Sequence, residues 1–396
     1  TRRTHRPQRL LQTPLRHAAV VNLEIAIFCM KILLGTHYLA KTGGTESYTY
    51  ALAMELKRLG HDVEYFAIVR GQVSTMLEEK GVPFMSANHY DLILANHTTV
   101  VEKLWTLGYT LQTCHGNIAE LEQPSPYADA YVAVSEEVRK HLQDKGYQVL
   151  GVIPNGIDCK RFFPRNPVSD KLTTVLSLCQ SDEANKFIRK CCEQANIKLL
   201  CSNKFTDNVW SIEELINQSD LVVGLGRSAY DAMACGRCVL VYDYRDYMGE
   251  FLGDGILTPD SINKSMTCNC SGRANRLKYN EQEFIAEMQK YSAELADWSR
   301  EFAIKNLNIE KITATYLNMC ESIDIKRQYT KLKLDMFKLK TEFMQDLQAN
   351  QSITTGLNAQ LTEHQYQTAN IIASYRAKGQ KHLKVIRALV YLSIVL

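Results

Sequence analysis

From Lys31 onward the chain alternates short apolar runs with amphipathic stretches, and that rhythm leaves few folds open. The runs "KILLG", "DVEYFAI", "DLILAN", "YTLQTCHG", "AYVAVS" and "QVLGVIPNG" read as strands. Between them, "TESYTYALAMELKRLG", "STMLEEKG", "TTVVEKLWTLG" and "EEVRKHLQDKG" read as helices. In the first helix Leu52, Leu56 and Leu59 share a face, and Gly60 ends it. Strands separated by helices are joined by crossovers, so they run parallel, with helices on both faces of the sheet.

The segment "PNGIDCKRFFPRNP" is dense in Pro, Asn and Gly and reads as an interdomain turn. A second α/β run begins at "LTTVLSL". It continues through a helix over 182–195, the strand "IKLLC", the helix "SIEELINQ", the strand "DLVVG", the helix "SAYDAMAC" and the strand "CVLVY". We therefore expect an α/β protein of two doubly wound, Rossmann-like domains, 30–154 and 155–320. A length of 396 residues, with 45% hydrophobic and 22% charged residues, suits two globular cores.

The two ends have a different character. Residues 1–29 hold five Arg and one Glu and no defensible helix or strand period, so they read as an upstream or vector-derived leader before Met30. A short basic targeting arm is the alternative. Residues 321–375 carry six basic and six acidic residues, with Tyr329, Leu332, Met336, Leu339, Phe343 and Leu347 at helical spacing. That stripe reads as a docking or coiled-coil seam for self-association, interrupted at Gly356. Residues 376–396 pair five Lys or Arg with the apolar end "ALVYLSIVL", which suits either an anionic membrane surface or the start of a core helix.

Net charge is only +3, too small to point to nucleic acid, and no nucleic-acid partner is expected. The 12 Cys are scattered without metal-ligand spacing, so they read as reduced thiols filling cytoplasmic cores. No signal peptide and no spanning helix are visible.

Three turns carry residues suited to chemistry. "AKTGGTES" lies between a strand and a helix, where Gly43 and Gly44 let the backbone approach a ligand and Thr45 is placed to cap the helix. Helix N–H groups and dipole favour a phosphate there, although neither G-x-G-x-x-G nor a Walker lysine is present. "QTCHGN" puts His115 at the carboxyl end of a strand, where ligands bind in open parallel sheets and where a His donates a hydrogen bond or titrates near neutrality. "GLGRSAYDAMACGR" is a second strand-to-helix turn. Its Gly224 and Gly226 open the backbone, Arg227 suits phosphate oxygens, and Ser228 suits a cap or the same anion. Asp231, one turn on, suits two sugar hydroxyls. Two phosphate-friendly turns, one per domain, imply a ligand in the cleft between them.

At these residues the chain resembles the retaining GT-B glycosyltransferases of the large sucrose-synthase and bacterial cell-surface-glycan family. The resemblance rests on "GGTESYTYALAMELKRLGHDV", "TCHG", "VIPNGIDCKRFFP" and "SDLVVGLGRSAYDAMACGRCVLVYD", and covers about residues 31–320. It implies a UDP- or GDP-linked sugar as co-substrate, no resident cofactor, no metal and a glycan or lipid-linked acceptor, at the cytoplasmic face of a membrane. It puts Gly43 and Gly44 at the donor pyrophosphate and His115 by the transferred sugar. Gly226, Arg227 and Ser228 fall at the phosphates, and Asp231 at the ribose. The family's first motif glutamate is replaced by Val223, and its phosphate-gripping Arg is missing from "SLCQSDEANKF", where Lys186 stands for the Lys. A catalytically weak scaffold subunit and a nucleotide-sugar epimerase remain as alternatives.

Overall fold

The computed structural model describes residues 29–203, 209–245, 249–321, 339, 341 and 354–377. The first unit is a six-stranded sheet of β1 (Lys31–Tyr38), β2 (Asp62–Val69), β3 (Tyr90–Ala95), β4 (Gly108–Cys114), β5 (Ala130–Ala133) and β6 (Val149–Val152). Its order is β2-β1-β3-β4-β5-β6, and every neighbouring pair is parallel. Helices α1 (Gly44–Arg58), α2 (Gln72–Glu79), α3 (Thr98–Leu104) and α4 (Glu136–Asp144) cover it. Ile32 and Leu34 of β1 pack on one face with Leu52 and Leu56 of α1. Leu33, between them, packs on the other with Val100 and Leu104 of α3. This period of two explains the unbroken apolar strands: both faces are buried.

The second unit contains β7 (Thr174–Ser177), β8 (Lys198–Cys201), β9 (Leu221–Gly224), β10 (Cys238–Arg245) and β11 (Glu250–Ile256), in the order β11-β10-β9-β7-β8. It carries α5 (Asp182–Gln194), α6 (Ile212–Ile216), α7 (Arg227–Ala234), α8 (Ile262–Met266), α9 (Glu281–Met288) and α10 (Ala293–Asn306). Val222 of β9 faces one core and Leu221 and Val223 the other, so this sheet is also sandwiched. One strand departs from the parallel reading. β11 runs antiparallel to β10, because only four residues separate them and a crossover needs a dozen or more.

The expected second domain, 155–320, needs a correction at its end. Helix α11 (Ile309–Glu321) leaves the second unit, and its Ile312, Tyr316 and Cys320 sit in the core of the first. Tyr316 Oη lies 3.0 Å from Thr113 Oγ1 of β4. The return is set at one backbone crossing. Ile157 N donates to Leu307 O (2.7 Å), and Ile309 N donates to Ile157 O (2.8 Å). Glycine is required beside it, since a Cβ on Gly156 would lie 2.6 Å from Ile309 Cδ1 and 3.1 Å from Ile312 Cβ. The expected boundary at 154/155 therefore falls at one of two strands of a double connection.

Helix α12 (Thr354–Ala377) is the helical extension. It runs through Gly356, which was expected to break it. The glycine falls in the first turn, where a weak helix former costs least. The leader 1–28, the stripe residues Tyr329, Leu332, Met336, Phe343 and Leu347, and the segment 378–396 lie outside the described residues. Among the described residues no helix is long and apolar enough to cross a membrane.

One polar network fastens the edge of the first sheet. Glu64 of β2 is 3% exposed. Burial pushes its carboxyl up, but hydrogen bonds from Tyr90, Lys31 and Ser86 outweigh that and hold it at about 2. Because the folded value is depressed below the ordinary 4.5, the group adds stability above that pH and loses it as pH falls through about 2. Glu64→Gln is expected to lower the unfolding free energy at pH 7 by about 1–3 kcal/mol. In denaturant titrations the gap to wild type should close as pH falls from 4.5 towards 2; a gap that does not change with pH would contradict this account.

Candidate functional site

The carboxyl ends of the two sheets face one cleft with a cavity volume of about 110 Å³. The first unit lines it with Thr42, Gly43, Gly44 and Ser47; the second contributes Leu178, Gln180, Ser202, Val209, Ile212, Arg227, Ser228 and Asp231. The two glycine turns singled out in the sequence thus meet across one space.

Both turns leave a helix N-terminus without a side-chain cap. At α1 the N-cap is Gly43 (φ −157°), which makes no side-chain cap hydrogen bond. Thr45, expected as the cap, is already inside the helix. Glu46 folds back over the turn, so closely that a Cβ on Gly43 would lie 2.3 Å from its Oε2. A carboxylate here is favoured by the positive end of the helix. At α7 the N-cap is Gly226, again with no side-chain cap. Ser228 was expected to cap, but the helix starts one residue earlier and places it at the second position, facing the cleft. Gly226 N donates to Cys270 O (2.9 Å), which anchors the turn to the loop after α8.

Arg227 is 9% exposed and Asp231 7%. Arg227 Nη1 donates to Gly156 O (3.0 Å) at the interdomain crossing. Its Nε lies 3.5 Å from Asp231 Oδ1, an i,i+4 pair, and neither of those two atoms makes a hydrogen bond. Burial raises the Asp231 carboxyl to about 6, against the pull of Arg227. Burial also lowers the Arg227 guanidinium, against the pull of Asp231. Each charge is thus poorly solvated, incompletely bonded and beside a cavity.

Lys186 is not brought to this site. It is exposed on α5 and absent from the cleft lining. The buried face of α5 is Ala184, Ile188, Cys191 and Cys192, and Lys186 lies about 200° around the helix from Ala184. Gln180, from the turn before α5, lines the cleft in its place. Gln180, Ser202 and Thr42 were missed because polar residues in loops are unremarkable in sequence; their position just past β7, β8 and β1 is the signal that marks them. Val223 is fully buried among apolar neighbours of the second core, as a strand residue on the face away from α7.

His115 follows β4 and stands behind α1. It does not line the cavity. Its Nε2 lies 3.1 Å from Asn96 Oδ1, and its ring meets the Tyr48 ring edge-on at 5.4 Å. Burial lowers it to about 3, with His97 adding to the effect, so it does not titrate near neutrality as expected from sequence. Among the described residues no group of three His, Cys, Asp or Glu side chains is placed to hold a metal ion.

The units also touch away from the crossing. Arg273 Nε donates to Glu137 Oε1 (2.8 Å), and Glu137 N donates to Thr267 O (2.8 Å). The Tyr50 and Trp210 rings meet at 5.1 Å, with the Arg161 guanidinium 4.4 Å above Trp210. The cleft is bounded by contacts on several sides.

No family model matches the sequence, and no curated protein matches it. Solved structures do resemble the chain. One is an α-glucosyltransferase in complex with UDP and a 13-mer DNA containing an HMU base, at 10% identity over 74% of this chain and 100% of that one, with a TM-score of 0.48. Another is UDP-GlcNAc 2-epimerase from Neisseria meningitidis bound to UDP-GlcNAc, at 12% identity over 74% and 100%, with a TM-score of 0.45. A third is MurG from Acinetobacter baumannii, at 12% identity over 72% and 99%, with a TM-score of 0.40. These likenesses concern the outline of the chain and assign no residue of the cleft.

Gly226 has φ +56° and ψ −122°, a conformation that L side chains rarely adopt. Gly226→Ala is expected to cost about 1–3 kcal/mol by thermal or denaturant unfolding. An unchanged midpoint would show that the turn relaxes freely.

Proposed function

We propose that this chain is a nucleotide-sugar-dependent glycosyltransferase of the GT-B type, which moves a sugar to a glycan or lipid-linked acceptor with retention of configuration. The observation that carries the reading is the convergence of two glycine-capped helix N-termini and the buried Arg227 on one interdomain cleft. The first-turn N–H groups of such helices suit phosphate oxygens. In this reading the pyrophosphate of a UDP- or GDP-linked sugar lies between Gly43–Gly44 and Gly226–Ser228. Arg227 turns from Asp231 and Gly156 towards it, and Asp231 accepts from the ribose hydroxyls. The leaving nucleoside diphosphate gathers negative charge as the glycosidic bond breaks. Fixed N–H groups and a guanidinium stabilise that charge without reorganising. No metal is required in this scheme.

Arg227→Ala and Asp231→Ala are each expected to weaken nucleotide-sugar binding by about tenfold or more in calorimetry, the loss of a charge-assisted hydrogen bond. Unchanged affinity in both variants would refute this site.

A specific observation favours a second reading. Arg227 is the one cation among the described residues that line the cavity, and Asp231 already faces it. A nucleoside diphosphate leaving group would therefore meet little positive charge. A catalytically weak binding or scaffold subunit fits that balance, with the helical tail as the assembly element. Hydrolysis of UDP- and GDP-sugars by the purified protein separates the two, and its complete absence alongside retained binding favours the scaffold. An epimerase would convert the donor with no acceptor present. The lipid-linked acceptor rests on the basic, apolar segment 376–396. Removing that segment should abolish flotation with anionic liposomes, and equal flotation would remove the membrane part of the proposal.

A further inference from the structure

One segment of the second unit belongs, by its packing, to both units. Trp210 precedes α6 and is half-buried against the core of the first unit, where its ring meets that of Tyr50 on α1 edge-on, at 5.1 Å and 79°. Ile212, two residues on, packs on the core of the second unit. Val209 and Ile212, on either side of Trp210, line the cleft. The segment 209–212 therefore supplies a cleft wall and a contact between the units at once. It is followed by α6, a helix of five residues with no side-chain cap at Ser211. A helix that short does not hold itself in place. Its position is set from outside, by Arg161 of the interdomain connection.

Arg161 Nε donates to Glu213 Oε1 of α6 (3.1 Å), and its Nη2 donates to Glu213 Oε2 (2.9 Å). Nη2 also donates to the Trp210 carbonyl oxygen. The guanidinium carbon lies 4.4 Å from the centre of the Trp210 ring. Glu213 is 5% exposed, so this forked pair is largely shielded from water and its geometry is sharply defined. Arg161 is itself anchored: its N–H donates to Asp158 O and Asp158 Oδ1, each at 3.1 Å, and the next residue, Phe162, sits in the second core. A planar fork meets both carboxylate oxygens, the carbonyl and the ring face together, which the point charge of a lysine does not.

We infer that Arg161 is a positioning residue that holds Trp210 on Tyr50 and so sets the spacing between the cleft walls supplied by α1 and by the segment 209–212. Arg161 does not line the cleft and acts through its neighbours. A ligand that spans two units gains contacts from both only where their separation already suits it, so a tether fixed before binding adds affinity. The consequence for nucleotide-sugar affinity rests on the function proposed above; the tether does not. The crossing at Ile157 joins the units through backbone, and this tether joins them through side chains.

The test uses the full chain with Trp105→Phe and Trp298→Phe, which leaves Trp210 as the sole tryptophan. Removing Arg161 alone would strand the buried Glu213 carboxylate, so the charge variant is Arg161→Met with Glu213→Gln, which removes both charges. Without ligand, its Trp210 emission should move to longer wavelength and acrylamide quenching should rise, with Arg161→Lys part of the way between. Tyr50→Leu leaves the charge pair intact and should also raise quenching; it decides the matter if the charge variant does not fold. Emission and quenching unchanged in the folded variants would overturn the tether. In calorimetry with UDP-glucose and GDP-mannose, the charge variant and Tyr50→Leu should each weaken the sugar that binds by about two- to tenfold, the worth of one aromatic pair. Combined, they should weaken it no further than the stronger of the two, because both act through Trp210. Losses that multiply would overturn the positioning role. If neither nucleotide sugar binds the parent chain, the effect on affinity falls with the proposed function, while the tether is decided by the emission alone.

Discussion

The double crossing of Ile157 with Leu307 and Ile309 is the constraint on which the cleft depends. Two backbone hydrogen bonds join the outgoing and returning chain, and Gly156 leaves room for Ile309 and Ile312 to pass. Without that return, α11 would not fill the core of the first unit, and one flexible strand would join the two sheets. With it, the carboxyl ends of both sheets are held facing each other. The Gly156 carbonyl also accepts from Arg227, so the connection and the cleft share a group. A ligand that drew Arg227 away would act on the crossing and the site together.

The cleft carries an electrostatic compromise. Arg227 and Asp231 are buried side by side, and burial shifts both towards their neutral forms. A pair of this kind costs desolvation that its mutual attraction does not fully return. Its atoms Nε and Oδ1 make no hydrogen bonds among the described residues, so a ligand that supplied partners would recover part of that cost. The glycine caps bring no capping side chain to the first turns, although at α7 Ser228 N already donates to Leu225 O (3.2 Å) and Ala229 N to Gly226 O (3.1 Å). In the proposed reading, the unmet hydrogen bonding of the ion pair is what a ligand would draw on there.

Local periodicity made most of the architecture legible. Buried parallel strands are apolar throughout, and helices such as α1 place leucines at every third or fourth residue, so element type follows from short windows. The glycine turns were legible too, because a backbone that approaches a ligand or adopts a positive φ needs glycine at a definite place. Other features depend on partners distant in sequence. Nothing in "IEKITATYLNMCE" tells that it packs on the first sheet rather than the second, since either apolar core would accept it. The hairpin of β10 and β11 was missed because short apolar strands carry no mark of direction.

The same divide runs through the site. By itself the sequence determined two sheets of α/β type, a glycine-rich strand-to-helix turn in each, and Arg227 and Asp231 one helical turn apart, because all of these follow from spacing along the chain. Only the tertiary structure decided that the two turns meet in one cleft, that Lys186 points to solvent while Gln180 faces in, and that Gly43 and Gly226 rather than Thr45 and Ser228 cap the helices. It also joined Thr49 of α1 with Asn96 and His115, the residues just past β3 and β4, into a single chain of hydrogen bonds. The reason is physical: hydrogen-bond direction, burial and charge compensation are properties of groups in space, and the residues that set them lie tens to hundreds of positions apart.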